Sequence, residues 1–231
     1  MSIADEAEAK AWLASRPEVD ATVTARLGVL VEALVDENTK QNLVARASLE
    51  QVWQRHIVDS AQLLYVSRET VPDGSWLDLG SGAGFPGLVV AAMQPDRPVT
   101  LVDSRRLRTD WLARAAASLG LGNVEVILAR VEDLPARRWC VISARAFAPL
   151  ERLLGLAARF STPDTLWLLP KGAKAQHELE ALTADWNHVF HVEHSLTDPS
   201  AGIIAGQLLG QTPGRKDTKA APALRQRGSS R

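Results

Sequence analysis

Cysteine is nearly absent from this chain of 231 residues, because Cys140 is its only one. A single cysteine excludes an internal disulfide and a metal site built from several thiolates. No stretch approaches the ~20 consecutive apolar residues of a membrane span. The segment from Met1 to Trp12 alternates acidic and small residues, which is unlike a signal peptide. We therefore expect a cytoplasmic protein that has neither a membrane segment nor a bound metal.

The net charge is also close to zero, since the chain has 26 basic and 27 acidic side chains. This balance does not by itself indicate a nucleic-acid-binding protein. The charges are unevenly placed, however, and residues 211–231 are strongly basic. The basic residues there, set against Asp217 alone, are Arg215, Lys216, Lys219, Arg225, Arg227 and Arg231. We predict a disordered basic tail at 211–231, acting either as a solubilising end or as an electrostatic tether for a polyanion.

The first part of the chain has the apolar spacing of helices. A short acidic helix is predicted at Ala4–Ala14, a second begins after an N-cap at Asp20, and a third covers Leu49–Val66. We interpret residues 1–70 as an N-terminal helical extension.

After residue 70 the pattern changes to short apolar strands that alternate with helices. We predict strands at Trp76–Leu79, Val99–Val102, Val124–Leu128, Trp139–Ser143 and Leu166–Leu169, with Val189–Glu193 and Ile203–Leu209 as a closing pair. We predict intervening helices at Leu88–Met93, Arg105–Leu119, Leu150–Phe160 and Lys174–Trp186. Alternation of this kind indicates an α/β fold with a doubly wound, mostly parallel sheet over residues 71–210. Ligands of such sheets bind beyond the carboxyl ends of the strands.

A glycine loop follows the first predicted strand. Gly80, Gly82 and Gly84 permit unusual backbone angles and a close approach to a ligand. Gly82, Gly84 and Gly87 also have the spacing of a dinucleotide-binding fingerprint, so the glycines alone do not exclude NAD as the ligand. Asp78 ends the strand before the loop, where a carboxylate repels a pyrophosphate and favours a cation such as the ammonium group of S-adenosylmethionine. A purely structural role for Asp78, capping loop amides, is the alternative.

Two further strand ends carry acidic residues. Asp103 ends the second strand, where a carboxylate can accept hydrogen bonds from both hydroxyls of a ribose. It supports an adenosine cofactor without choosing between NAD and S-adenosylmethionine. Glu132 and Asp133 follow the third strand, where they can meet an adenine edge or simply begin a solvated helix.

Several short motifs occur in an order that resembles a known family. They are Asn42-Leu43, Arg55-His56-Ile57-Val58-Asp59-Ser60, the glycine loop with Phe85-Pro86-Gly87, Val102-Asp103-Ser104, Arg130-Val131-Glu132, Ser143 to Ala148, and Lys171-Gly172. In this order they are similar to the RsmG family, also called GidB or glucose-inhibited division protein B. The resemblance spans about Asn38 to Leu209. The chain departs from the family pattern at Val44-Ala45, at Pro170, in the last strand at Ala201–Gly206 and in the basic tail.

The resemblance implies a class I methyltransferase (Rossmann-like) fold and methylation of N7 of a guanine in 16S ribosomal RNA, naked or in a precursor of the small subunit. It implies S-adenosyl-L-methionine as cofactor. By motif match, it implies cofactor contacts at Gly80, Phe85, Val131, Glu132 and Arg145. It also implies low-level streptomycin resistance when the activity is lost.

The chemistry of N7 methylation suits the residues. Guanine N7 has a free lone pair, so the protein has mainly to place N7 in line with the methyl group. Arg145, after the fourth strand, and Lys171, after the fifth, are our candidate catalytic residues, both in positioning roles. Arg145 can clasp guanine O6, a phosphate or the cofactor carboxylate, unless it is a surface residue paired with Glu151. Phe147 can either stack on a base or belong to the core. Cys140 is predicted to lie buried in the middle of the fourth strand.

RNA contacts are expected at Arg55, His56 and Lys171. His56 lies on the apolar face of its predicted helix, so a satisfied core histidine is the simpler interpretation. Two other function classes stay open: an oxidoreductase that binds NAD on the same loop, and an RNA-binding protein that has kept the methyltransferase fold and lost catalysis. The oxidoreductase calls for a proton-relay tyrosine, yet the only tyrosine, Tyr65, lies in the N-terminal helices. The presence of Asp78 and of the loop glycines disfavours an RNA-binding protein that has lost catalysis.

Overall fold

Two helices open the chain, and each begins at an aspartate cap. The computed structural model describes residues 2–65 and 71–212. Asp5 accepts hydrogen bonds from two backbone N–H groups at the start of α1 (Glu6–Ala14). Asp20 accepts one from Val23 at 2.8 Å at the start of α2 (Ala21–Asn38). A carboxylate satisfies amides that have no partner in the first turn of a helix, and the predicted cap at Asp20 is confirmed.

The third helical segment differs from the single helix predicted over Leu49–Val66. It consists of a 3₁₀ turn at Arg46–Leu49, a π-helical turn at Trp53–Val58, a short α3 (Asp59–Ala61) and a 3₁₀ turn at Gln62–Leu64. The carboxylate of Glu6 on α1 accepts hydrogen bonds from the backbone N–H groups of Trp53 at 3.1 Å and Gln54 at 2.7 Å. This contact from another helix satisfies two backbone N–H groups at the start of the π turn.

A single mixed sheet forms the centre of the described chain. Its strands are β1 (Trp76–Leu79), β2 (Val99–Asp103), β3 (Val124–Leu128), β4 (Val141–Ala144), β5 (Leu166–Gly172), β6 (Trp186–His188), β7 (His191–His194) and β8 (Gly202–Gln211). The order is β3-β2-β1-β4-β5-β8-β6, with β7 also paired to β8. The first five strands are mutually parallel, and β8 is antiparallel to β5. The predicted mostly parallel sheet with an antiparallel closing strand is confirmed.

Helices cover both faces of this sheet, as a doubly wound fold requires. They are α4 (Gly87–Met93), α5 (Arg106–Ser118), α6 (Leu150–Ala157) and α7 (Ala175–Glu180). Alternate residues of the strands enter two apolar clusters. Trp76 and Leu101 pack with α4, α5 and the N-terminal helices, whereas Leu77 and Trp167 pack with α6 and α7. The N-terminal helices therefore share a core with the sheet.

Two predicted elements are wrong in part. The helix expected over Lys174–Trp186 ends at Glu180, and Trp186 instead begins β6, because residues 186–188 pair with the end of β8. The fourth strand begins at Val141 rather than Trp139, because Trp139 bonds to the carbonyl of Phe160. Cys140 consequently precedes the strand and is only half-buried, not a core residue within it.

Within residues 2–65 and 71–212, no helix has the length and apolar character to cross a bilayer. The division at residue 70 stays a prediction. The basic tail predicted for 211–231 lies, from residue 213 onward, outside the described residues.

Candidate active site

Two cavities open at the carboxyl edge of the sheet. Cavity A, of about 460 Å³, is bounded by the glycine loop and by the segments that follow β2, β3 and β4. Cavity B, of about 710 Å³, is bounded by the π turn and by the segments that follow β4, β5 and β7. The segment Arg145–Ala148 lines both cavities. The loops from β1 and β4 diverge at this edge, because β1 and β4 are neighbours whose chains continue to opposite sides of the sheet.

The glycine loop depends on left-handed backbone at Gly80 (φ +67°) and Gly84 (φ +99°). A Cβ at Gly80 would lie 2.5 Å from Cδ2 of Phe147, and one at Gly84 would lie 2.4 Å from Cδ1 of Leu88. Gly80 therefore provides the space that seats Phe147, while Gly84 lets the loop close on α4. Gly80 and Gly82 line cavity A, but Gly84 lies behind the loop.

Asp103 joins the glycine loop to the end of β2. One carboxylate oxygen accepts a hydrogen bond from the N–H of Gly82 at 3.0 Å, and the other accepts from the N–H of Arg105 at 2.9 Å. These two bonds fix the orientation of the carboxylate in the wall of cavity A. Each oxygen keeps a further lone pair, so Asp103 can still accept hydrogen bonds from ribose hydroxyls.

Asp78 lies beneath the loop rather than in the wall of cavity A. Its side chain is fully buried between β1 and α4, where its Oδ1 accepts a 2.6 Å hydrogen bond from Ser143 Oγ. Ser143 Oγ in turn accepts from the indole N–H of Trp76 at 2.7 Å. The second oxygen, Oδ2, has no hydrogen-bond partner in the described part of the chain. Burial raises the pKa of Asp78 to about 6, and the bond from Ser143 offsets this only in part.

Val131 and Glu132 form a 3₁₀ turn at the far side of cavity A. The guanidinium of Arg159 donates to both of their carbonyl oxygens, at 2.6 and 2.9 Å, and so fixes the turn. Val131 is buried, and Glu132 is exposed beside Arg130. The backbone N–H of Glu132 and the charge of Arg130 lower the pKa of this carboxyl, which keeps it ionised.

Arg145 follows β4 and lies between the two cavities. Its Nη1 is 3.2 Å from Oδ2 of Asp59, and its guanidinium lies over the ring of Phe85 at 5.4 Å. The alternative partner considered from sequence, Glu151, instead accepts a hydrogen bond from Thr183. The next residue, Ala146, has a left-handed φ of +52°, a conformation that non-glycine residues rarely adopt. Such strain is typical of functional loops.

His56 is buried in the π turn and stacks on Phe85, with ring centroids 5.1 Å apart. Its Nε2 is 2.8 Å from Ser48 Oγ and its Nδ1 is 3.2 Å from Nη2 of Arg145. Burial, followed by the charges of Arg145 and Arg55, lowers the pKa of His56 to about 3. The ring is therefore neutral at physiological pH.

Lys171 lines cavity B but is already engaged by protein groups. Its Nζ donates to the carbonyl of Ala148 and is 3.0 Å from Glu178 Oε2, and only 7% of its side chain is exposed. The same oxygen of Glu178 accepts from the N–H of Leu150 at 2.8 Å. Lys171 therefore ties β5 to the end of the loop that carries Arg145. Arg55, by contrast, is half exposed and pairs with Asp198 at 3.2 Å.

The structure brings the predicted cofactor residues around cavity A, except Asp78 and Gly84, which lie behind its wall. Sequence reasoning missed Ser48 as part of the site, and it missed the pairing of Asp59 with Arg145. Asp59 was visible within the motif Arg55–Ser60, but nothing in the sequence pairs it with Arg145. Within the described ranges, no group of three or more histidine, cysteine, aspartate or glutamate side chains is placed to hold a metal ion.

Replacing Gly80 by alanine is expected to destabilise the protein by about 2–4 kcal/mol, because left-handed strain adds to the clash with Phe147. Gly120 offers a matched control, since it has φ +65° with nothing within 4 Å of the added Cβ. Gly120→Ala should cost only about 1 kcal/mol. Urea unfolding of both variants measures the difference, and equal losses would show that the contact with Phe147 does not matter.

Replacing Lys171 by methionine is expected to lower the free energy of unfolding by about 3 kcal/mol, because Glu178 loses its partner in a largely buried position. The salt dependence of RNA binding should stay unchanged. Arg55→Met should instead reduce the slope of log Kd against log salt by about 1, as for a lost phosphate contact. Titrations of RNA at several salt concentrations test this. A reduced slope for Lys171→Met would favour the phosphate role that the sequence suggests.

Comparison with known proteins identifies the family. The model of the rRNA small subunit methyltransferase G family (GidB) matches residues 24–201. The chain belongs to this family. A ribosomal RNA small subunit methyltransferase G from Novosphingobium aromaticivorans is 66% identical over 214 residues, covering 92% of this chain and 93% of that protein. The proteins of the same name from Erythrobacter litoralis and Zymomonas mobilis are 57% and 42% identical, covering 91% and 85% of this chain and 100% and 91% of their own lengths.

Solved structures show the fold of this family member to be that of class I methyltransferases. The putative methyltransferase yhhF from Escherichia coli aligns with a TM-score of 0.51 at 17% identity, covering 66% of this chain and 87% of that chain. Fibrillarin from Aeropyrum pernix, solved with natively bound S-adenosyl-L-methionine, aligns with a TM-score of 0.50 at 16% identity, covering 66% and 75%. At these identities the likeness concerns the fold alone.

Proposed function

We propose that this chain transfers a methyl group from S-adenosyl-L-methionine to N7 of a guanine in 16S ribosomal RNA. Membership of the rRNA small subunit methyltransferase G family supports the reaction class. The observation that carries the proposal is the meeting of two cavities at one loop, Arg145–Ala148. One cavity suits a methyl donor and the other an acceptor base, so donor and acceptor meet at the carboxyl edge of the sheet.

Cavity A has the features that the donor requires. Asp78 lies behind the glycine loop, so its buried carboxylate attracts the ammonium group of the methionyl end across the loop rather than by direct contact. Gly80 and Gly82 let the backbone approach that end, and Asp103 suits the ribose hydroxyls. The turn at Val131–Glu132 suits the adenine. When bound, the cofactor supplies an electrophilic methyl group on a positively charged sulfur.

Cavity B suits the target nucleoside. Phe147 lines both cavities and offers a ring on which a base can stack. Because N7 of guanine carries a free lone pair, the reaction needs no general base, and the protein has chiefly to orient the base. His56 is neutral and already hydrogen-bonded to Ser48 and Arg145, which agrees with a site that needs no general base. Arg145 is the side chain best placed to contact both reactants.

A basic rim around cavity A suits the RNA backbone. Three exposed arginines lie there: Arg105, Arg130 and Arg152. Guanidinium groups form paired hydrogen bonds with phosphate oxygens. This local basic character serves an RNA substrate even though the whole chain carries a net charge of −1.

Calorimetry with S-adenosylhomocysteine and with NAD tests the cofactor. We expect binding of the former alone; binding of NAD alone would favour the oxidoreductase. Transfer of a labelled methyl group to 16S RNA, offered naked or in small-subunit particles, tests catalysis. Primer-extension mapping of N7-methylguanine in a strain lacking this protein then tests the substrate. A modification that persists in that strain contradicts the proposal, and cofactor binding without any transfer indicates a protein that has lost catalysis.

A further inference from the structure

Arg145 is held almost entirely by the N-terminal helical segment. Its Nη1 contacts Asp59 Oδ2 at 3.2 Å and the carbonyl of Arg55 at 3.4 Å, and its Nη2 contacts His56 Nδ1 at 3.2 Å. An arginine has five N–H donors. Three are used by these contacts, which leaves two without a protein acceptor in residues 2–65 and 71–212. The side chain remains 20% exposed at the boundary of the two cavities.

The contact with Arg145 determines the tautomer of His56. A guanidinium only donates hydrogen bonds, so Nδ1 of His56 must be the acceptor and its proton must lie on Nε2. That proton is donated to Ser48 Oγ at 2.8 Å, and Ser48 Oγ donates its own proton to the carbonyl of Ala45 at 2.7 Å. Every donor in this short chain has an acceptor. Protonation of His56 would place an N–H donor at Nδ1, where it would face the N–H groups of the guanidinium.

Asp59 is fixed independently of Arg145. Its Oδ1 accepts hydrogen bonds from Gln62 Nε2 at 2.9 Å and from Thr197 Oγ1 at 2.8 Å. These two bonds leave Oδ2 to face Arg145. On the other side, His56 stacks on Phe85, which lines cavity A. The guanidinium is thus held between a fixed carboxylate and a fixed ring that touches the glycine loop.

We infer that His56 and Asp59 are positioning residues that orient the guanidinium of Arg145 across the boundary of the two cavities. This inference rests on the proposed function. His56 then acts through Arg145 rather than on the RNA, and its neutral ring is needed as a hydrogen-bond acceptor. Loss of either residue should slow methyl transfer more than it weakens cofactor binding.

A matched pair of His56 variants tests the inference in the full chain. His56→Asn keeps an oxygen near the position of Nδ1, whereas His56→Leu keeps apolar bulk and removes the acceptor. We expect kcat to fall about tenfold for His56→Leu and for Asp59→Asn, with a smaller factor of change in the Kd for S-adenosylhomocysteine. His56→Asn should retain clearly more activity than His56→Leu. Thermal unfolding checks that each variant is folded.

A double-mutant cycle separates positioning from packing. In an Arg145→Met background, His56→Leu should cause no further loss of kcat, because the guanidinium that it orients is gone. Equal kcat for His56→Asn and His56→Leu, or full additivity with Arg145→Met, would overturn the inference. Failure of the unsubstituted protein to methylate 16S RNA at guanine N7 would instead contradict the proposed function, so the two failures are distinguishable.

Discussion

Arg145→Met is expected to lower kcat/KM for RNA by at least about 100-fold, a loss typical of removing a preorganised charged donor. Arg145 lines both cavities, and its contacts with Asp59 and His56 hold it in place before any ligand arrives. Arg145→Lys should recover only a small part of the activity, because an ammonium group lacks the planar fork of a guanidinium. Steady-state assays with labelled cofactor measure both variants.

Arg137 supplies the control for this substitution. Its side chain is 56% exposed and lies before β4, at the edge of the sheet opposite the cavities. Arg137→Met removes the same charge and should leave kcat/KM within about twofold. Activity of Arg145→Met close to that of the control would show that the guanidinium plays no part in transfer.

Asp78→Asn is expected to weaken binding of S-adenosylhomocysteine by at least about tenfold and, at the same time, to stabilise the free protein above pH 7. The first effect follows from loss of the carboxylate charge, which attracts the ammonium group of the ligand from behind the glycine loop. The second follows from burial, which raises the pKa of Asp78 from its ordinary 3.8 to about 6. An asparagine carries no charge that burial can penalise, and its oxygen can still accept from Ser143.

The stability difference between Asp78→Asn and the unsubstituted protein depends on pH, because Asp78 ionises and asparagine does not. Below pH about 4, Asp78 is protonated in both folded and unfolded chains, so no ionisation penalty exists. As the pH rises through about 6, the folded chain must ionise a buried carboxyl, and stability is lost relative to the variant. The stability gain of Asp78→Asn should therefore be near zero at pH 4 and reach about 2–3 kcal/mol above pH 7.

Urea unfolding across this pH range measures the gain, and calorimetry measures ligand affinity. Asp164→Asn is the control, because Asp164 is exposed and pays no burial cost. A variant at Asp78 that is less stable than the unsubstituted protein at pH 8 would contradict the electrostatic account. Unchanged affinity would instead show that Asp78 acts only in folding.

The features that sequence reasoning predicted well depend on local patterns. β1 and β3 have the predicted bounds because turn-forming residues border them: Gly74-Ser75 and Gly80-Ser81 flank β1, and Gly122-Asn123 precede β3. The glycine loop and Asp103 lie together because parallel strands end at one edge of a sheet. The order of the motifs was sufficient for the family.

The features that it missed depend on contacts between distant segments. Asp59 and Arg145 are 86 positions apart, and only the packing of the π turn against the loop after β4 brings them together. Trp186 was assigned to a helix because its pairing with β8 is not a local property. The burial of Asp78 behind the loop, where Ser143 and α4 enclose it, was not visible in the sequence, and its role in cofactor binding stays a prediction.

The contact of Glu6 with the π turn links the N-terminal helix to the active site. Glu6 holds the amides of Trp53 and Gln54, and the carbonyl of Ile3 accepts from the side chain of Gln54. The first helix therefore supports, through the π turn, the residues that hold Arg145. A fragment starting near residue 70 would lose that support, together with the core that the N-terminal helices share with the sheet. The N-terminal helices are therefore needed for a correctly arranged active site.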